Sequence, residues 1–488
     1  MKFLYLLLFL CGMAGAQARQ ADLILSGSLK GSDHQTYVQV PFEVPATTQR
    51  ITVEFEYTGK QDRSVIDLGL IGPDGRILGW SGGNKSHFTI SAVDATPSYT
   101  PTPIREGRWH LLLGVPNIRL MAAADYEAHV YFSKTLSIAD EPEILTKPLK
   151  TQAGWYRGDL HAHSAHSDGS CAGILSKESV PCPVFVTALA AAQRGLDFMA
   201  ITDHNTLSHA NTVRELQPYF NPMLLLVGRE VTTFFGHANV FGTLSDLDFQ
   251  INKEEKSWNR ILQSVSAQKG LISINHPVRP SGELCMGCGW DTPSDMRQVH
   301  AIEVVNGADA DTLFSGIPFW HAQLNLGHHI TAISGSDNHR PDQKEMSYTG
   351  SVGRPSTVVY ATTLSAFDVL HAIRQGHVFV DNTGSRDKLL EMQAQIDNGL
   401  VVMMGDTVKA SAGAEIHFKT RVLNAQGAHL EWWLDGQPLA IGSQENLKQD
   451  QVIETRWKTD GKTHWIRVDV REAGGKLVLL GNPIYISP

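Results

Sequence analysis

Asp159-Leu160-His161-Ala162-His163-Ser164-Ala165-His166-Ser167-Asp168-Gly169 holds three histidines within six residues, where composition alone would supply about 0.3. In extended chain, side chains alternate, so His161 and His163 project to one face and can grip one cation from one side, while the loop beyond delivers Asp168. On either side, short apolar strands alternate with helical periodicity. A helix through Phe185, Leu189 and Ala192 leads into the buried strand Phe198-Met199-Ala200-Ile201. The alternation recurs with a helix near Trp258-Ile261-Leu262-Val265 and strands at Leu271-Ile272-Ser273-Ile274, Ala301-Ile302-Glu303-Val304-Val305 and Ile330-Thr331-Ala332-Ile333. Repeated βα units predict a parallel sheet or barrel, which gathers ligands at the carboxyl ends of its strands.

Those strand ends carry chemistry. One runs out into Thr202-Asp203-His204; the apolar strand from Leu224 to Val227 ends in Gly228-Arg229-Glu230, and Gly236-His237-Ala238-Asn239 opens another. The strand at Leu271 ends in Asn275-His276-Pro277, and the last in Gly335-Ser336-Asp337-Asn338-His339, where Asp337 and His339 repeat the same-face spacing and Asn338 is expected to face away. Glu230 can bridge two cations with its two oxygens, which an imidazole cannot do. A mixture of nitrogen and oxygen donors at five strand ends predicts a multinuclear site for divalent transition-metal ions, Zn, Mn or Fe. Arg279 and Arg340 are candidate oxyanion or phosphate clamps. His166 is expected to donate a proton to a leaving group or to orient a ligand, and Asp203 and Asn239 to stand behind the ligands.

Beyond this region the text changes. Residues 21–149 alternate as strands, for example Thr52-Val53-Glu54-Phe55-Glu56-Tyr57 and Ala128-His129-Val130-Tyr131-Phe132, and predict an N-terminal β-sandwich. Residues 390–488, with Glu415-Ile416-His417-Phe418-Lys419 and Trp465-Ile466-Arg467-Val468-Asp469-Val470, predict a smaller, Ig-like C-terminal β-sandwich. The proline-bracketed stretch from Glu141-Pro142 to Lys147-Pro148 suits an exposed linker. Lys2, the apolar run from Phe3 and Ala16-Gln17-Ala18 follow the order of a signal peptide over residues 1–18, which predicts an exported protein, periplasmic or extracellular. In that compartment Cys171, Cys182, Cys285 and Cys288 are expected to form two disulfides, with three pairings open, bracing loops around the site. A four-cysteine zinc site would need C-x-x-C twice, and Cys285-Met286-Gly287-Cys288 has no second copy. With 41 basic against 50 acidic side chains and no dense Lys/Arg run, nucleic acid is disfavoured as a partner. No later run reaches the roughly 18 apolar residues of a membrane span.

Taken in order, His161-x-His163 with Ser167-Asp168-Gly169, Thr202-Asp203-His204, Gly228-x-Glu230, His237, His276-Pro277 and Ser336-Asp337-x-His339 resemble the motifs of the PHP (polymerase and histidinol phosphatase) domain. The branch most similar is the exported metallohydrolases related to carbaryl hydrolase, which share Gly-His-x-Asn after the glutamate and an ending like Asn482-Pro483-Ile484-Tyr485. The resemblance implies a distorted (βα)7 barrel over residues 152–385 with up to three ions. Of these, His161, His163, Glu230 and Asp337 would hold the first, Glu230, His237 and His276 the second, and Asp168, His204 and His339 the third. It implies a small-molecule ester substrate cut by a metal-bridged hydroxide, a phosphoester by default, with a carboxylic ester or carbamate as the branch's alternative. A reading of another class stays open: a cell-surface binding protein whose sandwiches contact glycan, with the barrel a metal-stabilised scaffold.

Overall fold

The computed structural model describes residues 19–254, 256–283, 285–343, 350–396 and 399–488; the expected signal peptide, residues 1–18, lies outside them. The protein is multidomain and sheet-rich, with few helices. At the N-terminal side, Leu23–Lys30, Ala123–Ser133, Arg50–Tyr57 and His87–Ser91 form one four-stranded sheet, and Tyr37–Val44, Gly107–Asn117, Val65–Ile71 and Ile77–Ser81 another. Alternation turns one face of each inward, so Val53, Phe55 and Val130 meet Leu68, Trp109 and Leu111 in one apolar core.

The stretch from Glu141 differs from the exposed linker expected. It carries a short helix, Glu143–Thr146, and the Glu141 carboxylate is buried against Arg50 Nε at 2.6 Å. Arg50 also pairs with Asp94 Oδ1 at 2.8 Å, and Arg214 of a later helix closes on the other Asp94 oxygen. A guanidinium with two carboxylate partners offsets the desolvation each charge would suffer alone, which holds this segment against the protein.

The central region contributes strands β1 (Gly154–Asp159), β2 (Phe198–Ile201), β3 (Leu224–Thr232), β4 (His237–Phe241), β5 (Leu271–Ile274), β6 (Ala301–Asn306), β7 (Thr331–Gly335), β8 (Ser356–Ala361) and β9 (Val378–Asp381). Its helices are α1 (Val184–Arg194), α2 (Ala210–Phe220), α3 (Asn259–Ala267), α4 (Ile317–Asn325) and α5 (Ala366–Gln375). Helix α1 buries Val184, Thr187, Ala188 and Ala191, one stripe at helical spacing, and ends at Gly195 with φ 75°. Helix α5 is capped by the Ser365 hydroxyl, which accepts from the Asp368 amide. Beneath the helices lie fully buried rings, among them Trp258 and Trp320, whose indole donates to the Ile330 carbonyl at 2.8 Å. Each such ring removes roughly 150–250 Å² from water.

The sheet runs in the order β7-β6-β5-β4-β3-β2-β1-β8-β9 and departs from the uniform (βα) barrel expected. β1, β2 and β3 are parallel, as are β5, β6 and β7, but β3-β4-β5 is antiparallel. The reason is chain length: four residues separate β3 from β4, too few for a crossover helix, so the chain turns back through Gly236 at φ 107°. β3 also runs on past Val227, so Glu230 sits within the strand and not beyond its end. Among the described residues no backbone ladder joins β7 to β8; the Thr357 hydroxyl spans the gap instead, accepting from the Ser334 amide at 2.8 Å and donating to its carbonyl at 2.7 Å.

Past β9 the sheet continues without a break into Leu477–Gly481, His464–Arg471, His429–Leu434 and Gln437–Gln444. A separate sheet of Val402–Met403, Leu389–Ile396, Glu415–Leu423 and Asp450–Lys458 packs against this extension, with Met392, Ile416 and Phe418 facing Val468, Val470 and Leu479. The C-terminal strands thus share both a sheet and a core with β8 and β9, whose Val358 and Phe379 belong to that cluster.

Candidate metal centre

One edge of the sheet collects the polar side chains. The carboxyl ends of β1, β2, β5 and β7 lie there, and the β3-β4 turn brings the start of β4 to the same edge, since Ala238 pairs with Ile274. Beyond β1, Ala162 makes an isolated bridge to Asn338: the Asp337 amide donates to the His161 carbonyl and the His163 amide to the Asn338 carbonyl, each at 2.9 Å. This crossing sets His161 and His163 beside Asp337, while Asn338 turns away to donate to the Gly350 carbonyl at 2.8 Å. Asp337 adopts φ 52° and His276 φ 29°, conformations that cost energy and that the surrounding packing enforces.

Glu230, 1% exposed, is the centre of the arrangement. Its Oε2 lies 3.3 Å from His161 Nε2, 3.4 Å from His163 Nε2 and 3.0 Å from His204 Nδ1. Its Oε1 lies 3.4 Å from both His237 Nδ1 and His276 Nε2 and accepts from Asn275 Nδ2 at 2.9 Å. Asp337 Oδ1 stands 3.4 Å from His161 Nε2 and 3.2 Å from His163 Nε2. At the solvent side, Asp168 Oδ1 lies 3.3 Å from His339 Nε2, 3.7 Å from His204 Nε2 and 4.0 Å from His163 Nδ1. Three donor groups result: His161, His163 and Asp337; His163, Asp168, His204 and His339; and His237 and His276 together with Cys285 and Cys288. His163 stands between the first two, and cysteines join the third, which the sequence did not anticipate.

Three rings have their proton placed by a neighbour. His161 Nδ1 donates to Glu303 Oε1 at 3.0 Å, His237 Nε2 to the Met286 carbonyl at 3.1 Å and His339 Nδ1 to the Asp337 carbonyl at 2.9 Å. In the neutral ring each then turns its lone-pair nitrogen toward Glu230, Asp337 or Asp168. The donor set fits divalent cations. His161 Nε2 and Glu230 Oε2 are buried without a hydrogen bond, and two atoms bound at tetrahedral zinc distances lie about 3.3–3.6 Å apart, close to the separations seen here.

Electrostatics point the same way. Burial opposes charge on His161, but Asp337, Glu230 and Glu303 outweigh it and raise its pKa well above the usual imidazole value. Burial likewise opposes His339, yet Asp168 and Asp337 lift it to about 9. Glu230 and Asp337 are held well below the carboxylate range, burial being outweighed chiefly by His161 and its neighbours. His163 goes the other way, pushed down to about 4 by burial and then by the positive charge of His339, whose ring stacks on it at 4.0 Å. The site is thus a nest of carboxylates that draws positive charge inward, as protons or as metal cations.

The other predicted residues fall as follows. Arg279 is buried rather than poised over an open site: it donates to Asp309 Oδ2 at 2.5 Å and Asn306 Oδ1 at 2.8 Å, and lies 3.6 Å from Asp337 Oδ2. Its guanidinium is engaged by these carboxylates. Arg340 is exposed and reaches Ser179 Oγ at 3.4 Å. His166 belongs to none of the three donor groups; its Nδ1 lies 2.7 Å from Ser208 Oγ. Asp203 stands behind the site, accepting from the Ser164 amide and hydroxyl and the Ser167 hydroxyl, each at 2.7 Å. Asn239 donates to the Leu160 carbonyl at 3.2 Å. Cys171 lies at disulfide distance from Cys182, and Cys285 from Cys288. The first pair braces the Asp168 loop, where the Cys182 amide donates to the Gly169 carbonyl and the Ser170 amide to the His339 carbonyl.

Sequence reasoning missed Glu303. Its Oε1 holds His161, and its Oε2 accepts from the His276 amide at 3.1 Å and Asn306 Nδ2 at 2.9 Å. A signal was present: an acid at the middle of the apolar run Ala301-Ile302-Glu303-Val304-Val305 has no solvent to face. Gly335 makes room for it, since a Cβ there would come within 2.3 Å of His161 Cβ and 2.6 Å of Glu303 Oε1.

No family model matches the chain. An uncharacterized protein of Methanocaldococcus jannaschii is 26% identical over 162 residues, which cover 33% of this chain and 88% of the relative. Among solved structures, a two-domain protein from Bacteroides vulgatus, described as containing a predicted PHP-like metal-dependent phosphoesterase, aligns at TM-score 0.36 and 18% identity over 68% of this chain and 96% of its own. PsfC from Pseudomonas syringae aligns at TM-score 0.30 and 17% identity over 44% of this chain and 87% of its own.

Proposed function

We propose that this protein is a metal-dependent hydrolase of the PHP type, acting on a small-molecule phosphoester. The observation that carries the reading is the placement of Glu230: a buried carboxylate with imidazoles facing both oxygens would serve two cations at once. The donors would divide as the resemblance implies, His161, His163, Glu230 and Asp337 for the first ion, Glu230, His237 and His276 for the second, and Asp168, His204 and His339 for the third. Divalent ions of the Zn, Mn or Fe class held by these residues would lower the pKa of water toward neutrality and polarise the ester oxygen.

The residues of the chain supply the rest. Glu303 and the Met286 carbonyl hold the His161 and His237 rings so that their lone pairs face the ions. His204 and His339 are about a quarter exposed and Asp168 more so, which makes this edge the side from which substrate enters. Arg340 projects beside that edge and favours an anionic ester over a neutral one. His166, whose Nδ1 lies 2.7 Å from Ser208 Oγ, would orient a ligand or give a proton to a departing oxygen. Export, and division into units over 21–149, 152–385 and 390–488, belong to the same proposal. The separate N-terminal core supports the first boundary and the two cysteine pairs at disulfide distance support export, while the C-terminal strands share a sheet and a core with β8 and β9. Among the described residues no helix is long and apolar enough to cross a membrane.

The test is hydrolysis of p-nitrophenyl phosphate, bis-p-nitrophenyl phosphate and naphthyl esters or carbamates by metal-loaded protein, with His161→Ala as control. Turnover of a phosphate substrate that His161→Ala abolishes is expected. Turnover of the carboxylic ester or carbamate alone overturns the substrate class, and no turnover with every ion position filled overturns the hydrolase.

A further inference from the structure

The loop after β5 brings sulfur to the edge of the site. His276 follows that strand, and Cys285-Met286-Gly287-Cys288 folds back so that both sulfurs and one ring nitrogen each of His237 and His276 lie within 4.8 Å of one another. The loop is tied down there: the His237 ring donates to the Met286 carbonyl at 3.1 Å, the Gly236 amide to the Gly287 carbonyl at 2.7 Å and the Trp290 amide to the Pro277 carbonyl at 2.8 Å. Gly287, with φ 84°, lets this happen, because a Cβ would fall 2.0 Å from the Thr233 carbonyl oxygen. Cys288 is 4% exposed, and His276 Nδ1 is buried without a hydrogen bond. His237 and His276 are therefore common to two donor sets, one with a Glu230 oxygen and one with the two sulfurs.

We propose that Cys285 and Cys288, when reduced, complete with His237 and His276 a two-thiolate, two-imidazole site for a borderline-soft divalent cation of the zinc class. Two sulfurs and two nitrogens are a complete tetrahedral donor set, and the second C-x-x-C that the sequence lacks is replaced by two histidines from other strands. A dithiol reductant passes two electrons and two protons to the disulfide and is itself oxidised to a disulfide; the cation then displaces two protons from the thiols. Because the histidines are shared with the Glu230 position, the oxidation state of the pair selects which donors hold the ion: oxygen when the sulfurs are joined, sulfur when they are free. This rests on the metal reading above only for the shared histidines.

Cobalt(II) is the probe, since thiolate ligation gives it an intense sulfur-to-metal charge-transfer band that imidazole and carboxylate do not. Full-length protein, oxidised or reduced with a phosphine, is loaded with cobalt(II) and its spectrum recorded. The band is expected on reduction only, and is expected to persist in Cys171→Ser/Cys182→Ser and to vanish in Cys285→Ser/Cys288→Ser and in His237→Ala. Cobalt bound to reduced wild type without the band overturns the site, as does a band that survives in Cys285→Ser/Cys288→Ser. His161→Ala separates the two readings: it is expected to keep the band on reduction while losing hydrolysis in the oxidised protein. Hydrolysis by oxidised wild type with no band on reduction refutes the thiolate site alone, and a band on reduction with no hydrolysis by the oxidised, metal-loaded protein refutes the hydrolase alone.

Discussion

Glu303→Gln isolates a side chain that touches no ion yet orients two proposed ligands. Glu303 is 2% exposed and takes three hydrogen bonds, from His161 Nδ1 at 3.0 Å, the His276 amide at 3.1 Å and Asn306 Nδ2 at 2.9 Å. Glutamine keeps the volume but replaces one oxygen by a donor. If the amide nitrogen replaces Oε2, it meets two donors and leaves them buried without an acceptor, at about 1–3 kcal/mol each. If it replaces Oε1, His161 must move its proton to Nε2, the atom that faces Glu230 and Asp337. Either way cation affinity is expected to fall 10–100-fold, the range for loss of such an orienting partner. That is about 1.4–2.7 kcal/mol. The assay is titration of cation-free protein with Zn²⁺ against a chromogenic chelator, beside a thermal melt of the same sample to separate site loss from unfolding. A variant that remains folded and binds its tightest ion as well as wild type would refute the reasoning.

Glu230→Ala removes the bridge and is expected to cost at least two bound ions, read by elemental analysis after gel filtration; retention of the full complement would show that Glu230 bridges nothing. Arg50→Ala strands Glu141 as a buried charge and leaves Asp94 with Arg214 as its one cationic partner, and is expected to cost about 3–5 kcal/mol in denaturant unfolding while leaving Zn²⁺ affinity unchanged. A loss under 1 kcal/mol would mean that water already screens this cluster. For pH, His339 is raised to about 9 in the folded, cation-free protein, against about 6.5 when unfolded. The stability it contributes is therefore complete below about pH 6.5 and lost as pH rises through about 9. The melting temperature of cation-free protein is expected to fall across that window, less steeply in His339→Gln; identical profiles for the two would remove the assignment.

The candidate ligands were legible because they fall where strands end, and strand ends are marked locally by an apolar run that stops. His204, His276, Asp337 and His339 all follow such runs, whereas His161 and His163 stand out by the clustering of three histidines in six residues. Glu230 was legible as a residue but not in its setting, since β3 continues through it by pairing with β4, and pairing is not a local property. The same hairpin replaced the expected parallel order by an antiparallel one. Arg279 looked like a free cation near His276; only the packed chain brings Asp309 and Asn306 against it.

The alternation of strands and helices in the middle of the chain and the strand-rich character of both ends follow from period-two and helical alternation, which the chain expresses within a few residues of itself. What folding alone decided is which distant groups share a lone pair or a proton: Glu303 behind His161, His163 between Asp337 and Asp168, and a cysteine pair facing His237 and His276. Those relations depend on distances of a few ångströms between segments up to 174 residues apart, and no local pattern of hydrophobicity encodes such a distance.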